Sequence, residues 1–351
     1  MDCRVKPGND VDRASRFGWE ALFSMMTQIS LAQAAILAIN SFALGGLLFL
    51  LSAGFSLIFG LMRIPNLMHG SFFMLGAYLG VSLLDTGLVI GGSMFPNGLA
   101  IFGWTILEHG ITIPRVTLVP RVEDIFLAAL ISGAIVAVIG GVIERFLLRR
   151  LEGQVLPQVL LTLGFAFIIA DICLMIWTGD PWQPSPPPQL RGAVQAFGMF
   201  FPLYRLVILA VAVVIAIALW IMVDWTRLGA MIRAGVDDPP IARVVGIKVS
   251  RLFTLIFCLG AALAAFAGVM GAPYLSVYPG LDFEMLPLAL IVVILGGTGS
   301  LLGALVGSFL IGFLYSFGQA MFPDLAYVIL FLPMLLVLVL RPQGLFGRVV
   351  A

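Results

Sequence analysis

The stretch RAGVDDPPIARVVGIKVSR, residues 233–251, gathers Arg233, Asp237, Asp238, Arg243, Lys248 and Arg251 between two long apolar runs, in a chain that is 61% hydrophobic and 11% charged. Asp237 and Asp238 followed by Pro239 form a helix start: an aspartate accepts from free backbone N–H groups, and proline fits the first turn because it has no donor to lose. The pattern predicts a short helix from about 239 to 245. Gly246 closes it, since glycine takes the left-handed conformation that ends helices. Such a helix offers Arg243 on its exposed face, with Ile241, Val244 and Val245 as apolar contacts, and suits docking to a partner outside the bilayer. Composition alone favours an ordinary basic loop of a multi-pass protein.

Three other groups of residues stand out. Asp171 lies inside LLTLGFAFIIADICLMIW with no other charge within seven positions. A charge at that depth costs about 2.5–3.5 kcal/mol on insertion scales, so Asp171 is expected to face a partner or a cavity, with a place in the substrate path as the sharper reading. Gly296, Gly297, Thr298 and Gly299 follow a short apolar stretch, Leu286 to Leu295, that Pro287 bounds. Read as a broken helix, it would present free N–H and C=O groups to a zwitterion and makes a candidate translocation path. Asn66, His69 and Gly70 belong to the turn joining the first two spans, where His69 reads as a loop-ordering residue. The ladders Gly260, Ala264, Gly268, Ala272 and Gly299, Gly303, Gly307 read as close helix packing.

Chemistry of other kinds has little footing. No G-x-x-x-x-G-K-[ST], H-E-x-x-H, nucleophile elbow or paired buried carboxylates occur, so the chain is not read as an enzyme and cannot hydrolyse ATP by itself. Three cysteines without paired spacing and two separate histidines suggest neither disulfide nor metal site. No bound cofactor is expected. A formal net charge of +1 gives no basis for nucleic-acid binding.

The element that must position these residues is a bilayer-embedded helix bundle. Soluble chains are about 45–50% apolar, whereas this one has a mean hydropathy of +1.11. With about 20 apolar residues per crossing, full spans are expected at 35–61, 70–90, 124–147, 156–178, 204–223, 252–273, 299–319 and 325–340. A ninth, near 286–295, is either a short span extended back toward Val277 or a broken, re-entrant element. The fold class is therefore all-α and polytopic, with about eight full helices, one short or broken span and a cytoplasmic helix. Short loops holding Arg63, Arg145, Arg149, Arg150, Arg227, Arg233, Arg243, Lys248, Arg251, Arg341 and Arg348 oppose loops holding Arg115, Arg121, Arg191 and Arg205. That asymmetry puts the 224–251 loop and the C-terminus in the cytoplasm. Residues 1–30 read as a polar, disordered tail, or as translation from a start codon upstream of a natural start near Met25 or Met26. Residues 31–348 make one transmembrane domain. Within it, 86–123 is an external insertion whose piece GLAIFGWTILEHG predicts a surface helix. DPWQPSPPPQLRG, 180–192, predicts a stiff extended loop.

The run LSAGFSLIFGLMRIPNLMHGSFFMLGAYLG, residues 51–80, resembles the opening signature of branched-chain amino-acid type ABC transporter permeases. IERFLLRRLEG at 143–153, LLTLGFAF with GDP at 179–181, the R-A-x(7)-A-x(3)-GI loop at 233–247, LGGTGSLLGALVGSFLIG at 295–312 and RPQGLFG at 341–347 agree in order and spacing. The resemblance covers roughly 35–348 and is closer to the LivH-type subunit than to its LivM-type partner. It implies that the 224–251 loop acts as a coupling helix, with Arg233, Ala234, Ala242, Gly246 and Ile247 at matching positions and Pro239-Pro240 departing from the usual polar run. It also implies the partners: a second, LivM-type permease, two ATP-binding subunits that use the ATP, a periplasmic binding protein and a small-molecule substrate, in a bacterial inner membrane. Branched-chain amino acids are the expected cargo. Urea, amides and aromatic or other small carboxylates stand beside them, and an ATP-independent transporter or channel and a structural membrane subunit are the competing classes.

Overall fold

The computed structural model describes residues 31–62, 66–85, 88–94, 99–101, 104–107, 111–119, 121–196, 199–237, 239–341 and 343–347. Its helices are α1 (Leu31–Met62), α2 (His69–Asp85), α3 (Ile125–Phe146), α4 (Val155–Trp177), α5 (Leu203–Trp225), α6 (Arg227–Asp237), α7 (Pro239–Val244), α8 (Val249–Gly271), α9 (Leu281–Gly296), α10 (Leu301–Met321) and α11 (Ala326–Leu340). Among the described residues seven helical segments, carried by α1, α3, α4, α5, α8, α10 and α11, are long and apolar enough to cross a bilayer. The shorter α2 and α9 have 17 and 16 residues. The tail 1–30 lies outside the described residues.

The core sits where α1, α2, α8 and α9 meet. Phe49, Phe55, Phe72, Tyr78 and Phe257 are fully buried there. Small residues let these helices touch backbone to backbone: a Cβ on Gly76 would lie 2.3 Å from Ala265 Cα, and one on Gly268 would lie 2.0 Å from the Phe73 carbonyl oxygen. Gly260 meets Gly54, and Gly303 meets Gly296. The outer helices keep apolar faces uncovered, including Leu156, Leu160 and Phe167 on α4 and Leu332, Leu335 and Val339 on α11. Caps fix two of the helix starts. Asp124 accepts from the Phe126 N–H at 2.9 Å, and Ser300 accepts from the Gly303 N–H at 3.0 Å.

The short helices correct the span reading. α2 ends at Asp85 rather than 90. Of the two readings of the ninth segment, α9 matches the short span extended back toward Val277: a continuous helix that runs through Pro287, not a broken one. It begins after Gly280, whose φ of +108° supplies a turn that a side chain would resist. Both helices start deep inside the bundle. His69 Nε2 is 2.9 Å from the Leu51 carbonyl oxygen, and Ser71 Oγ is 3.5 Å from that of Ala166. Leu51 precedes the end of α1 at Met62 by eleven residues, and Ala166 follows the start of α4 at Val155 by eleven. At 1.5 Å per residue both sit about 16 Å inside. Asn66, 4% exposed, and Met68, fully buried, are therefore non-helical backbone at membrane depth, tolerated because protein covers them.

The 86–123 segment does not form the predicted surface helix. β1 (Leu88–Met94) pairs antiparallel with β4 (Ile111–Val119), and β2 (Leu99–Ile101) pairs with β3 (Trp104–Leu107), a hairpin nested within a hairpin. The sequence reason is the β-branched content of ITIPRVTLV. The end Glu108-His109 lies outside the described residues. In the proline-rich segment Trp182 exchanges backbone hydrogen bonds with Val277 at 2.8 and 2.9 Å. β5 (Ala193–Ala196) and β6 (Met199–Pro202) then form a hairpin leading into α5.

Candidate functional site

Between α5 and α8 the chain leaves the bundle and forms two helices at the end that carries Arg149 and Arg150. Gly229 sits where a Cβ would lie 1.7 Å from the Val223 carbonyl oxygen, so the chain folds back tightly after α5. On α6, Arg233 Nη1 donates to that Val223 oxygen at 2.5 Å and lies 3.7 Å from Asp224 Oδ1. Ala234 lies one turn from the end of α6, and Asp237 is its last residue. Asp238 lies outside the described residues.

α7 spans Pro239–Val244, and Gly246 follows with φ of +93°. The Gly246 N–H donates to the Arg243 carbonyl oxygen at 3.1 Å, and that of Ile247 to Ala242 at 3.0 Å, closing the helix. Ala242 is 3% exposed and anchors the inner face, whereas Ile241, Val244 and Val245 are 61%, 88% and 75% exposed. Arg243 Nη2 meets Glu152 Oε1 at 3.3 Å, joining α7 to the α3–α4 connection. One turn away Arg149 Nη2 is 3.2 Å from Glu144 Oε1 and 2.7 Å from the Ser250 carbonyl oxygen at the start of α8. Glu144 is a carboxylate 1% exposed. A chain of charged contacts thus runs from the exposed apolar helix to α3 and α8.

The other candidates are scattered. Asn66 Oδ1 accepts from the Met68 N–H at 3.2 Å, His69 is fully buried against Leu51, and a Cβ on Gly70 would lie 2.6 Å from the Asp282 carbonyl oxygen. Asp171 lies on the uncovered face of α4, beside exposed Phe167, Ile168 and Ile172, and has no partner among the described residues. Gly296, Gly297, Thr298 and Gly299 form the α9–α10 turn at the basic end. Gly299 packs near Gly60, and the N–H groups of Leu345 and Phe346 donate to the carbonyls of Leu295 and Gly296 at 2.9 and 3.0 Å. The segment 343–347 therefore satisfies carbonyls that a broken helix would have left free. A cleft of about 500 Å³ at the opposite end is lined by none of these.

Reading the sequence missed α6 and the charges within and beside α9. Asp282 is 2% exposed and Oδ2 accepts from Ser71 Oγ at 2.9 Å. Glu144, Asp282 and Glu284 lie on helices of the bundle, as Asp171 does. Their signal was available as carboxylates at the margins of apolar runs.

The family described as the permease component of a branched-chain amino acid transport system matches residues 37–338. The chain is 27% identical over 320 residues to the high-affinity branched-chain amino acid transport system permease protein BraD of Pseudomonas aeruginosa, covering 88% of this chain and 94% of that one. It is likewise 27% identical over 322 residues to LivH of Escherichia coli, with the same coverage. A shorter match, 33% over 165 residues and 45% of this chain, is to the autoinducer 2 import system permease protein LsrC of Klebsiella pneumoniae. No solved structure matches. The helix order, the packed α9–α10 turn and α7 all fall inside the matched region, and this chain belongs to the branched-chain amino acid transport system permease family.

Proposed function

We propose that the chain is one permease subunit of an ATP-driven importer of branched-chain amino acids, working beside a second permease, two ATP-binding subunits and a periplasmic binding protein in a bacterial inner membrane. The 224–251 loop and the C-terminus face the cytoplasm on this reading. The observation that carries it is α7, a capped helix outside the bilayer whose Ile241, Val244 and Val245 are exposed. Exposed apolar clusters rimmed by charge mark protein–protein contact sites.

The mechanism follows from rigidity. ATP binding closes the two ATPases and moves α7; the Arg243–Glu152 and Arg149–Glu144 contacts carry that motion to α3 and α8. Arg233, Ala234 and Asp237 belong to the same lever, with Arg233 tying α6 to the end of α5. Gly246 and Ile247 close α7, so its orientation is fixed relative to α8. Asp171 and its apolar neighbours on α4 suit a face against the second permease, where protein replaces lipid around the carboxylate.

The test is affinity purification in mild detergent of the wild type beside Arg243→Glu and Gly246→Pro variants. Proline holds φ near −65°, incompatible with +93° at Gly246. Co-purification of ATPases with the wild type and their loss in the variants supports the reading. Transport that persists without ATP at constant membrane potential would overturn it.

A further inference from the structure

At the end opposite α7, a cleft of about 500 Å³ opens between α1, the start of α5, the α8–α9 connection, α9 and the end of α10. Its polar lining includes Asn40, Arg205, Tyr274, Glu284, Tyr315 and Gln319, and its apolar wall includes Leu44 and Leu288. Volumes of about 300–1,000 Å³ are usual for small-molecule sites.

The two charges are held by neutral groups. Arg205 Nη1 donates to Asn40 Oδ1, and its guanidinium carbon lies 5.3 Å from the centre of the Tyr274 ring. Glu284 Oε2 accepts from the Tyr278 hydroxyl. Neither has an ion-pair partner among the described residues, though both are partly buried and line the same cleft. Charges held in a partly dry site without a counter-charge cost free energy. A ligand carrying one anion, one cation and an apolar body offsets that cost at both.

We propose that this cleft receives the substrate as a zwitterion, with Arg205 taking the carboxylate, Glu284 the ammonium, and Leu44 and Leu288 facing an aliphatic side chain. The assignment rests on the importer reading and adds to it. The permease then discriminates for itself, on the side where substrate is delivered, and selects against ligands that lack either charge.

The test uses the assembled complex in lipid nanodiscs without binding protein, titrated with tritiated L-leucine. L-leucinol, which keeps the ammonium, and 4-methylpentanoate, which keeps the carboxylate, serve as single-charge probes. Saturable leucine binding is expected. Arg205→Gln should weaken leucine by ~10-fold or more and leave leucinol unchanged; Glu284→Gln should weaken leucine and leave 4-methylpentanoate unchanged. In wild type each probe should displace leucine. No saturable leucine binding, loss of leucine and both probes together in either variant, or no change in leucine affinity would overturn the assignment. Because displacement is read in wild type, a variant that fails to assemble does not remove the test. Subunit composition and ATP hydrolysis are scored on the same samples: an intact, ATP-hydrolysing complex with unchanged leucine affinity in Arg205→Gln removes the cleft alone. Leucine binding without any ATPase subunit removes the importer reading alone.

Discussion

Ser71 Oγ donates to Asp282 Oδ2 at 2.9 Å, joining the first turn of α2 to the first turn of α9 across 211 residues of sequence. Both helices are too short to cross alone, and both begin inside the bundle at this contact. Asp282 is 2% exposed and Ser71 is fully buried, so the junction is shielded from water.

Ser71→Ala removes the donor and leaves the carboxylate buried with less support. It should lower stability by about 1–3 kcal/mol, whereas Asp282→Asn keeps an acceptor for Ser71 and should cost less. Thermal melting of the detergent-purified complex checks the order. Equal melting for Ser71→Ala and wild type would show that the contact does not hold the two helices together.

Close packing of α2 on α8 makes a steric prediction. Gly268→Ala forces a Cβ against the Phe73 carbonyl oxygen at 2.0 Å, while Gly164→Ala on α4 meets nothing within 4 Å. The first should abolish or sharply lower the yield of folded protein. The second should be neutral or stabilising by up to about 1 kcal/mol, from helix propensity. Monodisperse yield on size exclusion reads both.

Asp171 sits on a face of α4 that this chain leaves open. Asp171→Asn should leave substrate preference unchanged, and Asp171→Arg should reduce recovery of the second permease. Stoichiometry by native mass spectrometry decides. A change of substrate preference with assembly intact would return Asp171 to the translocation path.

Much of this was legible in the sequence because bilayer physics acts locally. Apolar runs of about 20 residues place the long helices, and Pro239 with Gly246 places both ends of α7 to within a residue or two. What stayed hidden depended on distant partners. Asp282 and Glu284 precede the apolar run that begins at Leu286, and nothing local says that the helix starts at Leu281 and buries the first of them. The glycines at 296–299 carry the composition of a broken helix, and only the pairing of Leu345 and Phe346 with Leu295 and Gly296 shows the turn to be closed. The hairpins at 88–119 were missed because GLAIFGWTILEHG is short and apolar, and helix and strand then differ only through the flanking β-branched residues.

The Arg243–Glu152 pair is solvent-exposed, with side chains 58% and 52% accessible. Such pairs contribute about 0–1 kcal/mol, so Glu152→Gln should leave melting within about 0.5 kcal/mol of wild type. Transport per ATP hydrolysed should fall if the pair transmits motion. Wild-type coupling ratios in Glu152→Gln would remove this contact from the mechanism.

The central claim is that α7 is the docking element for an ATPase. Its most direct test is site-specific crosslinking from Val244, the most exposed of its apolar residues at 88%, with a photoreactive amino acid at that position in the native membrane. The account predicts one dominant adduct, with a nucleotide-binding subunit, lost when Gly246→Pro is added. Adducts with lipid alone, or with ATPase unchanged by Gly246→Pro, would contradict it.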